Sequence, residues 1–295
     1  MELTNKRVIK ELLEKYNAKP EKYFGQHFIL SKKALSKMVA AAEIKAGGNI
    51  VEIGPGLGTL TRELAKTGAN ITAIEKDPLM IKILKETLAD FKNVKIIRAD
   101  ARHLSPDLWI YETYKTGDKS VKIVANLPYS IATFLIHKWL ESENAPRLMI
   151  LMIQKEVARR ICAAPPHANL LATSVQFYAE PKIIGYVSKE MFWPKPKVDA
   201  AIIKIIPHNK RELAAFASDR KQIMTDNAKK AFFRVMKAGF SQPRKQLAGN
   251  LTKKLGVSKE KILKIFKDFS ISETARAENL SLRDWQKLSE KLSTL

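Results

Sequence analysis

Between residues 49 and 206 the chain alternates short apolar runs with amphipathic stretches. Residues 49–53 (NIVEI), 70–74 (NITAI), 94–97, 121–125 (VKIVA) and 148–153 read as strands buried on both faces. Lys122 is the one charge in VKIVA. A helical pattern starts at Thr59, with Leu60, Leu64 and Ala65 on its apolar side. A second helix opens at Asp77-Pro78, an N-cap followed by a proline in the first turn. Residues 35–46 predict a helix stopped by Gly47-Gly48, and 155–161 predict another. Residues 182–188 and 198–206 predict two strands joined by a proline-rich segment, an antiparallel hairpin at the sheet edge. Residues 105–120 predict a helix and a loop. Strands alternating with helices imply a mostly parallel sheet covered on both faces.

After Pro207-His208 the strand signals stop. Short helical stripes follow: Ala231, Phe232, Val235 and Met236; Leu263, Ile265 and Phe266; Trp285 and Leu288. The expected domains are therefore 1–207, which includes a lysine-rich N-terminal helix and a loop over 22–30, and an all-helical 208–295.

The polar residues at strand ends carry the chemistry. Strand 49–53 runs into Gly54-Pro55-Gly56-Leu57-Gly58 and then a helix. Three alternate glycines are an entropic burden for a plain turn, and they suit backbone that must approach a ligand. The spacing differs from the dinucleotide fingerprint GxGxxG, and no GxxxxGK[ST] is present. Glu52 would repel a pyrophosphate there; it suits a cofactor with a positive amino group, such as S-adenosylmethionine. Glu75, about twenty residues past the loop, is placed to accept ribose hydroxyls. Asp100 is placed to accept from an adenine amine. Asn126-Leu127-Pro128-Tyr129 follows strand 121–125: its amide accepts from an exocyclic amine, its ring stacks on a base, and Phe192 is a candidate for the base's other face. Each of these residues also has a bland reading as a strand-end turn.

Several separated motifs resemble the ribosomal RNA small-subunit methyltransferase A family, the dimethyladenosine transferases, and most closely its bacterial members. They are KYFGQHFIL at 22–30, VEIGPGLGTLT at 51–61, Glu75-Lys76-Asp77, Asp100-Ala101, NLPYSIAT at 126–133, MIQKEVARRI at 152–161 and FWPKPKVD at 192–199, with a weaker match over 232–250. The resemblance implies an α/β class I SAM-dependent methyltransferase fold, Rossmann-like with an antiparallel edge, plus a small all-α C-terminal domain. It implies N6,N6-dimethylation of two adjacent adenines near the 3′ end of 16S rRNA in the immature 30S subunit. It places S-adenosyl-L-methionine against Gln26, His27, Ile29 or Leu30, Glu52, Gly54, Gly56, Glu75, Lys76, Asp100, Ala101 and Asn126, and catalysis at Asn126, Leu127, Pro128, Tyr129 and Phe192. His27 stands where the family usually has asparagine, and Ala200 where serine is common. Two other classes remain open: a non-catalytic assembly or transcription factor on the same fold, and a DNA adenine N6-methyltransferase.

Charge adds a partner. The chain's 295 residues hold 52 Lys and Arg against 30 Asp and Glu, a formal charge of +22, which favours a polyanion. From 208 to 258 twelve basic residues face three acids. Arg244 and Lys245, beside the 240–243 turn, are candidate RNA contacts, as are Lys155, Arg159, Lys195 and Lys197. A solvated helix face is the alternative. The single cysteine, Cys162, excludes an intramolecular disulfide, and His103, His137, His167 and His208 are scattered, so no metal is expected. No apolar run reaches the length of a membrane span. A cytoplasmic monomer is the expectation.

Overall fold

A computed structural model describes residues 1–21, 25–104, 121–209 and 226–293. The expected helix and loop at 105–120, the first residues of the 22–30 motif and the basic residues at 210–225 lie outside the described residues.

Seven strands form one sheet: β2 (Asn49–Ile53), β3 (Asn70–Glu75), β4 (Val94–Arg98), β5 (Val121–Asn126), β6 (Leu148–Gln154), β7 (Ala179–Val187) and β9 (Ala200–Pro207). Their order is β4-β3-β2-β5-β6-β9-β7. Strands β4 through β6 pair in parallel, and β9 pairs antiparallel with β6. The order reverses between β2 and β5, so the carboxyl ends of these two strands flank a crevice where open α/β sheets bind ligands. Ile50, Ile71, Val124 and Ile150 are buried in the sheet and pack with Leu60 and Leu64 of helix Thr59–Ala65. On a second cluster, Ile9, Leu12 and Leu13 of helix Lys6–Lys15 pack with Phe28, Met80 and Ile83.

The second helix of the chain shows what the sequence pattern missed. It spans Lys32–Ala41 rather than 35–46: Ser31 caps its start by accepting from Ala34 N–H. It ends early because Glu43 takes φ +48°. The Lys122 ammonium, the lone charge in β5, donates to the carbonyls of Ala42 and Glu43 at 2.7 and 2.6 Å. The end of that helix thus satisfies the one cation in a buried strand.

Two residues each of β1 (Phe28–Ile29) and β8 (Phe192–Trp193) form a separate antiparallel pair, with Phe28 opposite Trp193 and Ile29 opposite Phe192. No local periodicity signals this pairing.

The chain divides into two compact units, Met1–Ala158 with Pro181–Pro207, and Arg159–Glu180 with His208–Leu295. The second unit joins 159–180 to the helical tail. The reason is aromatic: Phe177 of helix Leu170–Tyr178 stacks on Phe232 at 4.5 Å between centroids. In the same unit Phe240 stacks on Trp285 at 5.3 Å. A Cβ at Gly239 would lie 2.3 Å from Trp285, so only glycine fits. The middle helical stripe is corrected to Ile262, Ile265 and Phe266, all buried, with Leu263 half-buried.

Candidate active site

Two neighbouring cavities, about 720 and 950 Å³ with their open mouths, lie at the carboxyl ends of β2, β3 and β5 and share Gly54, Glu75 and Pro128. Gly54 and Gly56 adopt φ of +67° and +58°, a region that L side chains rarely enter. A Cβ at Gly54 would reach Pro128 at 3.6 Å, and one at Gly56 would reach Phe28 at 3.4 Å. The glycine loop therefore lies directly against the NLPY turn and β1 (Phe28–Ile29).

The first cavity holds Glu52 and Asn126-Leu127-Pro128-Tyr129. Glu52 is 1% exposed. Burial pushes its carboxyl up to about 8, and its Oε2 has no hydrogen-bond partner. Asn126 ends β5, and its Nδ2 donates to the His27 carbonyl at 3.3 Å. That contact uses one of the amide's two N–H groups and fixes which end is the donor, leaving Oδ1 as the acceptor. The Tyr129 ring is stacked with His27, centroids 6.1 Å apart. Its hydroxyl is buried without a partner, and burial raises its pKa to about 12, with the Asp199 charge adding to the rise.

His27 is itself fixed, its Nδ1 lying 2.7 Å from the Pro194 carbonyl. The histidine that departs from the family pattern thus positions both Asn126 and Tyr129 through one short segment. Gln26 lines the cavity, but its amide is engaged at both ends: Nε2 donates to Asp77 at 2.8 Å and Oε1 accepts from Glu21 N–H at 2.9 Å. Its evident task is to anchor the segment.

The second cavity holds Glu75, Lys76, Asp100 and Ala101. Glu75 is 8% exposed. Burial raises its carboxyl pKa, while the N–H groups of Asp77, Gly56 and Lys76 oppose the rise. These donors lie at 2.9, 3.2 and 2.8 Å. Asp100 is held well below the usual carboxylate range, first by the Arg102 guanidinium and then by Lys76. Arg102 Nη2 lies 2.7 Å and Lys76 Nζ 3.0 Å from its Oδ2.

The structure brings together most residues the sequence proposes and revises some. Ile29, not Leu30, lines the cavity; Leu30 packs on the cluster around Phe28. Phe192 is no cavity wall: it is 3% exposed and sits in the core cluster with Ile29, Leu35 and Met38. The reason is the β1–β8 pairing, which turns it inward beside Ile29. Arg102 is a further residue of this cavity that strand-end reasoning does not reach, and its place two residues after Asp100 is the available signal. Of the proposed RNA contacts, Lys155 pairs with Asp199 and Lys195 with Glu190. Arg159, Lys197, Arg244 and Lys245 are exposed. The turn before Arg244 is held by buried Asn250, whose Nδ2 donates to the carbonyls of Gly239 and Gln242.

Residues 17–294 match the family described as Ribosomal RNA adenine dimethylase. The chain belongs to that family. It is an enzyme, a SAM-dependent rRNA adenine dimethyltransferase. The chain is 37% identical over 279 residues to Ribosomal RNA small subunit methyltransferase A of Dehalococcoides mccartyi, covering 95% of this chain and 90% of that one. It is 35% identical over 294 residues to the protein of the same name from Clostridioides difficile, covering 99% and 97%. Among solved structures, a dimethyladenosine transferase from Plasmodium falciparum aligns with TM-score 0.72 at 23% identity, over 90% of this chain and 97% of that one. The 23S rRNA methyltransferase ErmE aligns with TM-score 0.69 at 21% identity, over 90% and 99%. These two share the fold of the dimethylase family member described here. No helix among the described residues is long and apolar enough to cross a membrane.

Proposed function

We propose that this chain dimethylates N6 of two adjacent adenines near the 3′ end of 16S rRNA in the immature 30S subunit, acting in the cytoplasm with S-adenosyl-L-methionine as donor. The observation that carries this reading is the Asn126 amide. Its Nδ2 donates to the His27 carbonyl, its Oδ1 is left for a substrate amine, and a half-buried tyrosine ring stands beside it.

The cavity residues fit the donor. Glu52 presents a buried oxygen without a partner, as expected of a group that meets a cationic ligand. Glu75 accepts ribose hydroxyls with the lone pairs its backbone amides leave over. Lys76, Asp100 and Ala101 receive the adenine end, and Gly54 and Gly56 permit close backbone approach. When bound, S-adenosylmethionine supplies a methyl group on a sulfonium, already a good electrophile.

The protein's work at the other reactant is alignment. The adenine N6 lone pair is delocalised into its ring and is a poor nucleophile. Asn126 Oδ1 and the Leu127 carbonyl accept its two N–H groups and draw the amine toward a tetrahedral shape. Tyr129 stacks on the flipped base. No side chain has to remove a proton first, because the amine becomes acidic only once it is alkylated. Arg244 and Lys245, with Arg159, Lys155, Lys195 and Lys197, contact the rRNA backbone and position the substrate without reading its sequence.

One assay tests this reading. The protein is incubated with methyl-labelled donor and immature small subunits, naked 16S rRNA or duplex DNA, and the labelled nucleoside is identified. Label in N6,N6-dimethyladenosine from the particles is expected. Label only in DNA, or none in any substrate, overturns the proposal.

A further inference from the structure

We infer that Tyr186, with Lys155 held at its ring by Asp199, forms a stacking subsite for an unpaired nucleotide flanking the target adenine. The inference rests on rRNA adenine methylation as the activity and adds a contact outside the cleft.

Tyr186 lies in β7 and is 56% exposed. Met191 and Val198, nearby in the chain, are each 42% exposed. An aromatic ring as exposed as Tyr186 offers a flat face on which a base can stack. The Lys155 ammonium lies 5.5 Å from the Tyr186 ring centroid. It is placed there by Asp199, whose Oδ2 is 3.3 Å from Lys155 Nζ and whose Oδ1 accepts from Lys189 N–H at 3.1 Å. Lys155 N–H in turn donates to the Asp199 carbonyl at 3.0 Å. Asp199 is therefore a positioning residue, joined to Lys155 through both its main chain and its side chain.

The same surface adjoins the active site: Asn126 of β5 is paired with Met152 of β6, the Leu127 N–H donates to the Met152 carbonyl at 3.1 Å, and Lys155 follows directly on the end of β6.

The chemistry around the ring selects the occupant. Lys155 stands over the ring, the Lys189 N–H meets the same Asp199 that holds Lys155, and Lys195 and Lys197 are near in the chain. The core of a protein–protein interface is depleted of charge. Single-stranded nucleic acid is held by the opposite mixture, an aromatic face for the base and cations for the backbone. A nucleobase on Tyr186 would bring its phosphates toward Lys155, the cation seated at the ring.

The test compares wild type with Tyr186→Ala, Tyr186→Leu and Tyr186→Phe. It reads KM and kcat for RNA methylation, the Kd for a short single-stranded RNA at two salt concentrations, and the Kd for the methyl donor. The donor Kd also shows that each variant is folded. Tyr186→Ala and Tyr186→Leu are expected to raise the RNA KM and Kd by about tenfold, with a smaller change in kcat, and Tyr186→Phe by less than about twofold. Leucine keeps apolar bulk without a flat ring, so recovery by Tyr186→Leu would mean apolar cover and would overturn the subsite. So would a wild-type KM in Tyr186→Ala, with the methylation reading left standing. A wild-type protein that transfers no methyl to RNA would overturn both.

Discussion

At one end of the cleft Glu52 Oε2 and the Tyr129 hydroxyl are buried without a hydrogen-bond partner. At the other end Glu75 accepts from three backbone amides, and Asp100 is gripped by Arg102 and Lys76. The first end leaves polar groups whose desolvation is uncompensated until a ligand arrives. The second is already satisfied, so a ligand there shares or exchanges existing contacts. Differential stabilisation is greatest where the protein alone is least content, and the end where methyl transfer is proposed is the unsatisfied one.

The comparison breaks first at Asn126. Asn126→Ala is expected to lower the single-turnover methylation rate by about 100- to 1000-fold, the range found when one preorganised polar group at a reacting centre is removed. Donor affinity measured by calorimetry should change far less. An unchanged rate would remove the amide from the chemistry.

Glu75→Ala tests the satisfied end. Two charge-assisted hydrogen bonds to ribose hydroxyls, partly replaced by water, predict a donor Kd weakened by about ten- to hundredfold. Unchanged affinity in a folded variant would take the ribose away from Glu75.

Glu52 sharpens the contrast through pH. Burial raises its carboxyl to about 8, so near neutrality the folded protein without ligand holds that proton. A cationic donor favours the ionised form, and binding therefore releases a proton. Donor affinity should rise with pH up to about 8 and then level, by no more than about tenfold per pH unit. Glu52→Gln should flatten that dependence, as read from calorimetry across pH. The stability sign is opposite: the folded state holds a proton that the unfolded chain gives up above its ordinary carboxylate range, so this contribution falls as pH rises toward 8.

The smallest effect is expected at Asp100. Its carboxylate is already engaged with Arg102, so Asp100→Ala should weaken the donor by less than about tenfold in the same titration. A loss equal to that of Glu75→Ala would mean that the two carboxylates contribute alike.

Much of this site was legible along the chain. The glycine loop, Glu75, Asp100 and Asn126 all sit at ends of strands that hydrophobic runs mark out, and β2 through β6 fall within a residue or two of the expected positions. What could not be read was contact between distant segments. Phe192 looked like a ring free to cover a base, yet pairing of its strand with Phe28–Ile29 buries it. His27 looked like a departure from a motif, yet its carbonyl and ring hold Asn126 and Tyr129.

The sequence by itself determined the local decisions: where strands end, where only glycine can turn, and which strand ends carry an acid or an amide. These follow from side-chain periodicity and backbone sterics, which act over a few residues. Tertiary structure alone decided which of those groups remain unsatisfied. Lys122 is quieted by the carbonyls of a helix end and Asp100 by two cations, whereas Glu52 is left dry. Residues 159–180 join the helical unit because Phe177 finds Phe232. Burial and hydrogen-bond satisfaction belong to the packed chain as a whole, since each depends on what distant residues bring to the same place.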